Sequence, residues 1–147
     1  MAAAGNGYEN LDDAKFHGAF DRTQADSGAI IVGAGAPPTG MQAARSRLDF
    51  SNWGSRVDVQ GWGYDVTSAG YGDLFDGRGD QKQFYSAQFA GTSSASPMVT
   101  GSAVLLQAIQ QAGGGTRLTP PEMRALLAST GTPQEGDLSQ HIGPQPD

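Results

Sequence analysis

Cysteine is absent from the 147 residues, which excludes disulfides, thiolate metal sites and a cysteine nucleophile. Positive charge is scarce: nine Lys and Arg stand against fifteen Asp and Glu, for a formal net charge of −6. With no basic patch, a nucleic-acid partner is not expected. No apolar run reaches the length of a membrane span, so no membrane partner is expected either. The start, Met1-Ala2-Ala3-Ala4, has neither the basic residues nor the long apolar core of an export signal. Histidine is limited to His17 and His141, so any imidazole base within the chain is one of these two.

Glycine is what the chain has in excess, with 22 residues. That is about twice ordinary usage and predicts many tight turns and close backbone approaches, as in loops that shape a cleft. The length suits one domain with a core. Residues 29–32 are a continuous apolar run, consistent with a strand buried on both faces. Short strands are expected at 57–59, 64–67 and 84–89, and a Gly/Asp-rich surface loop at 70–82. Residues 97–111 are apolar nearly all round and predict a helix buried on every side, with Pro97 in its first turn. A second helix is signed by Thr119 as N-cap, Pro120 in first position and Glu122 completing a capping box, with Met123, Leu126 and Leu127 as its apolar stripe. The tail from residue 131 has three prolines and little periodicity. The alternation of buried strands and helices argues an α/β fold.

The most constrained stretch is Gly91-Thr92-Ser93-Ser94-Ala95-Ser96-Pro97, between a strand-like run and an apolar helix. Such a turn can be an ordinary helix cap. It can also lift one hydroxyl to a helix start, where unpaired N–H groups and the helix dipole favour developing negative charge. A nucleophilic serine needs that environment when an oxyanion forms beside it.

The string G-T-S-x-A-x-P resembles the nucleophile signature of the subtilisin-like serine peptidases, with Ser93 at the nucleophile position. Three further stretches follow the family's order. Ala3-Ala4-Gly5-Asn6-Gly7 is similar to its oxyanion-asparagine segment, residues 27–34 to the buried strand after it, and Phe50-Ser51-Asn52-Trp53-Gly54 with Val57-Asp58-Val59 and Gly61 to its F-S-x-x-G…D-V-x-x-G stretch. The chain is thereby identified as the C-terminal portion of a subtilisin-like catalytic domain, one partial domain over residues 1–147. The resemblance implies a mostly parallel sheet with packed helices and a secreted serine endopeptidase acting on polypeptides. It also implies an oxyanion held by the Asn6 amide and the Ser93 N–H, and a primary specificity pocket walled in part by Ala3, Ala4 and Gly5.

The family's catalytic Asp and His belong to motifs N-terminal to the asparagine segment. Asp26-Ser27-Gly28 looks like the Asp motif but falls in the run that aligns with a later strand, and His17-Gly18 lacks the residues that follow the family's histidine. A nucleophile and an oxyanion donor are therefore expected without their usual base. Three outcomes stay open: a peptidase completed by an N-terminal half, a weak esterase using His17 or His141, and a non-catalytic unit that self-associates as a homo-oligomer. No cofactor is expected, although Asp73, Asp76 and Asp80 on one Gly-rich loop offer oxygen ligands for structural calcium. Trp53, Trp62 and Tyr64 are expected in core packing rather than along a groove.

Overall fold

In the computed structural model, which describes residues 1–147, two short runs that each open on a β-branched residue pair side by side. They are β2 (Ile31–Gly35) and β3 (Val59–Trp62), preceded by the short β1 (Ala2–Ala3). The order is β1-β2-β3, all parallel, with Ala2 opposite Ile31 and Val32 opposite Val59. A separate antiparallel pair, β4 (Val66–Ala69) and β5 (Tyr85–Phe89), carries a register shift between Val66 and Ser68. Helices α1 (Thr92–Ala112) and α2 (Pro120–Thr130) complete the fold. No helix is long and apolar enough to cross a membrane.

Alternation along β2 divides the core. Val32 and Val59, both fully buried, join Ile30, Ala95, Val99, Met123 and Leu127 beneath the helices. Ile31 faces the other way, toward Leu11, Val57, Ile142 and Trp53. Two glycines set the spacing of these layers. A Cβ on Gly61 would come within 2.7 Å of the Ala95 carbonyl, so its absence lets α1 lie directly on β3. A Cβ on Gly33 would meet Ile142 at 2.8 Å on the opposite face.

Helix α1 departs from expectation in two ways. It begins at Thr92, so Pro97 is an interior residue rather than part of the first turn. The missing Pro97 N–H would have reached the Ser93 carbonyl. Tertiary anchoring carries the early turn instead: Ser94 donates to the Gly91 and Trp62 carbonyls at 2.8 and 3.0 Å, and Ala95 is pressed onto Gly61. Nor is α1 buried on every side. Thr92, Ala95 and Val99 face the sheet, while Val104, Leu105 and Ile109 are 63–67% exposed. A helix docked on one layer has only one covered stripe, whatever the composition of the other.

Helix α2 follows its caps. The Thr119 side chain accepts from the Glu122 N–H, and the Glu122 carboxylate accepts from the Thr119 N–H at 2.8 Å. These Thr119 hydrogen bonds hold the Glu122 carboxyl below its ordinary value. The proline-rich tail is more ordered than its composition suggests. Ile142 is fully buried, and the Pro144 and Gly143 carbonyls take the Gln60 backbone and side-chain N–H groups along the outer edge of β3. The tail thus covers that edge and the face opposite α1, leaving the outer stripe of α1 open. Buried Asp58 closes the assembly, bonding the Ile31 N–H, Arg56 and Arg22.

Candidate active site

The turn from β5 into α1 works only with glycine at position 91. Gly91 has φ 120°, in the region that excludes ordinary side chains, and its N–H donates to the Gly63 carbonyl at 2.9 Å. Of the three hydroxyls that follow, Thr92 and Ser94 are buried and hydrogen-bonded, whereas Ser93 is exposed and its Oγ has no partner. The Ser93 N–H lies in the first helical turn, where no intrahelical acceptor exists.

Asn6, 87 positions earlier, is brought to the same place. Its Oδ1 accepts from the Thr92 N–H at 2.9 Å and from the Thr92 hydroxyl at 3.0 Å. The Thr92 hydroxyl also accepts from the Gly5 N–H at 3.1 Å. With Oδ1 occupied, Nδ2 is left free. A Cβ built on Gly91 would lie 3.1 Å from both Asn6 Nδ2 and Ser93 Oγ. The space that a side chain at position 91 would fill is therefore where a hydroxyl and an amide donor converge. Free N–H donors fixed beside a hydroxyl are the geometry that stabilises charge on an oxygen as the hydroxyl adds to a carbonyl.

Asn52 shapes the loop that carries Asn6. Its Oδ1 accepts from the Gly7 and Glu9 N–H groups at 2.9 Å each, and its Nδ2 donates to the Ala4 carbonyl at 2.9 Å. Sequence reading places Asn52 and Thr92 within motifs but gives neither a role. Their hydrogen bonds reach across 43 to 87 positions, and no local pattern encodes such pairings.

Of the other candidates, Gly5 alone is tied to the Asn6–Ser93 pair. Gly5 joins the site through Thr92, while Ala3 and Ala4 line a hollow of about 470 Å³ with Phe20, Ile31, Asp26 and Arg56. His17 is exposed at the end of a short 3-10 turn, and His141 is exposed in the tail; neither imidazole is hydrogen-bonded to Ser93 or to any other group. Asp26 is bound by Arg124 and by the Gly28 N–H, which hold its carboxyl well below the usual carboxylate range. Asp73, Asp76 and Asp80 turn to separate partners, the N–H groups of Ala87, Arg78 and Lys82, and no group of three or more His, Asp or Glu converges in the fold. The Ser86 hydroxyl and the Ala87 N–H lower the Asp73 carboxyl. Trp53 packs against the second core cluster as expected, but Tyr64 is 45% exposed, edge-to-face with Phe50 at 5.4 Å.

Comparison with known proteins agrees with this architecture. The sequence pattern of the subtilase family matches residues 1–143. No curated protein matches the chain. Among solved structures, the patellamide maturation protease PatA is 28% identical, with a TM-score of 0.58 over 79% of this chain and 37% of its own. A cold-adapted subtilisin-like serine proteinase is 26% identical, with a TM-score of 0.62 over 97% of this chain and 42% of its own. The prenylagaramide maturation protease PagA, at 21% identity, shares the fold with a TM-score of 0.65 over 99% of this chain and 46% of its own. The chain thus spans less than half the length of each of these structures. Its parallel sheet with packed helices is the α/β arrangement of the subtilisin-like proteases, and the chain belongs to the subtilase family.

Proposed function

We propose that residues 1–147 form the nucleophile-bearing part of a subtilisin-like serine endopeptidase domain. Ser93 Oγ attacks the scissile carbonyl carbon, and the carbonyl π electrons move to oxygen. The resulting oxyanion takes hydrogen bonds from Asn6 Nδ2 and the Ser93 N–H. Collapse breaks the C–N bond as the proton taken from Ser93 passes to the nitrogen, so that a neutral amine leaves. An acyl ester remains on Ser93, which water then hydrolyses. The observation that carries this reading is the convergence of Asn6 Nδ2 and Ser93 Oγ beside Gly91. The proton leaving Ser93 needs an acceptor, and neither His17 nor His141 is hydrogen-bonded to its Oγ. We assign that role to a base from outside these residues, in a complementing polypeptide segment. Gly5 edges the substrate cleft through its bond to Thr92 in this reading, while Ala3 and Ala4 wall the separate hollow. The secreted location rests on family resemblance alone.

A weaker activity belongs to the chain by itself. Activated esters have good leaving groups and demand less proton transfer, so an exposed hydroxyl beside two donors supports slow ester hydrolysis. With a p-nitrophenyl ester, Ser93→Ala is expected to abolish turnover above background. Asn6→Ala is expected to lower kcat with KM nearly unchanged, because the amide contacts charge present mainly in the transition state. Losing the corresponding donor in subtilisin costs about 10²–10³ in kcat. Unchanged turnover in Ser93→Ala, or a loss in Asn6→Ala confined to KM, would refute the assignment.

A further inference from the structure

A second hollow, of about 660 Å³, lies near the site and is not used by the chemistry above. Two connections place it there. Tyr8, on its wall, lies two residues beyond Asn6 and is held by its N–H to the Phe50 carbonyl at 3.1 Å. Tyr64, on the same wall, follows Gly63, whose carbonyl fixes the Gly91 N–H. The hollow shares no residue with the Asn6–Ser93 pair but lies beside both the Asn6 loop and the strand end that holds Gly91.

Its lining combines two chemistries. Tyr8, Phe50, Tyr64 and Leu48 supply apolar and aromatic surface, with Tyr8 67% exposed. Asp49 and Asp65 supply carboxylates that enter no ion pair and accept no hydrogen bond. No Lys, Arg or His lines the hollow. Arg47, the nearest cation along the chain, is turned away to the Leu48, Asp49 and Ser51 carbonyls and to Gln140. Elsewhere in the fold, Asp58, Asp26 and Glu135 are each neutralised by an arginine. The two acids beside the site are left uncompensated.

We propose that this hollow receives a Lys or Arg side chain of the peptide substrate, flanking the bond presented to Ser93. A long cationic side chain lays its methylene stem on apolar surface and keeps its charged head at the polar rim. Aromatic faces add attraction for the cation, and the carboxylates set its sign. A neutral side chain of equal length keeps only the apolar part. The inference rests on the hydrolase reading for its location and on Asp49, Asp65 and the aromatic rings for its specificity.

The test is binding rather than turnover, so it does not depend on a base. Short capped peptides, Ac-Ala-Ala-Lys-Ala-amide and its Arg and norleucine counterparts, are titrated into the isotopically labelled chain and followed by amide chemical shifts. The Lys and Arg peptides are expected to shift residues 8, 49–50 and 64–65, and to bind at least about fivefold more tightly than norleucine at low salt. Asp49→Asn combined with Asp65→Asn is expected to erase that preference while leaving norleucine binding intact. Equal affinities, shifts confined to other surfaces, no binding by any peptide, or a preference that survives the double variant would overturn it. Repeating the titration with Ser93→Ala separates this claim from the hydrolase reading, since the Lys preference is expected to persist without the nucleophile.

Discussion

Asn6 has two chemically opposite ends, and Thr92 occupies the acceptor end with both its N–H and its hydroxyl. The buried Thr92 side chain thus acts as a positioning group, fixing which face of the amide meets Ser93 Oγ. Thr92→Val keeps the volume and the backbone bond but removes one hydrogen bond to Asn6 and one from Gly5. At about 0.5–1.5 kcal/mol for a lost bond, kcat for an activated ester is expected to fall by roughly 2- to 12-fold. Thr92→Ser is expected to restore most of the rate. In an Asn6→Ala background, Thr92→Val is expected to add nothing further. A full effect in that background would show that Thr92 acts by some route other than the amide.

The elements around this pair differ in how readable they are. The α2 cap needs only Thr119 and Glu122, three residues apart, so a local rule suffices. The turn at Gly91 is legible for the same reason, since its residue types are dictated by one tight conformation. The start of α1 is not legible, because the local preference of proline for a first turn is outweighed by contacts from Ser94 and Ala95 to distant strands. The burial of α1 is misread for a related reason: an apolar composition does not say how many neighbours a helix has. The tail is misread in the opposite sense. Its composition shows little periodicity, yet one buried apolar side chain, Ile142, and the backbone carbonyls that bind Gln60 anchor it.

The open stripe of α1 has a pattern of its own. Met98 and Leu105 are exposed, Gly101 has open space where a Cβ would be, and Ala108 is small and exposed. An antiparallel copy crossing near residue 103 would set Leu105 over Gly101 and Met98 over Ala108, each large side chain against a small one. No charged residue occurs in the helix, so two copies meet without repulsion there despite the net charge of −6. We propose a second copy of the chain as the occupant, through a twofold interface. Light scattering at micromolar concentration is expected to give a mass that rises with concentration above 15.2 kDa. Leu105→Asp is expected to return it to the monomer. A constant monomer mass for the unaltered chain would exclude the interface.

At the scale of the whole molecule, the parts that the proposed acyl transfer requires are unevenly supplied. The core beneath the helices, the close approach of α1 at Gly61 and the Thr92 bonds to Asn6 bring residues 6 and 93 together, while both imidazoles are exposed and hydrogen-bonded to nothing. As a peptidase, the chain alone is expected to be at least about 10³-fold poorer than a complete subtilase, given losses of about 10⁶ when subtilisin loses its triad histidine. The claim at the centre of this account is that Ser93 is poised by Asn6 and lacks only a base. Fluorophosphonate labelling, mapped by peptide mass spectrometry with and without added imidazole, measures it most directly. Labelling is expected to be slow, confined to Ser93, accelerated by imidazole and diminished by Asn6→Ala. Label spread over several serines, or a Ser93 rate indifferent to both imidazole and Asn6→Ala, would contradict it.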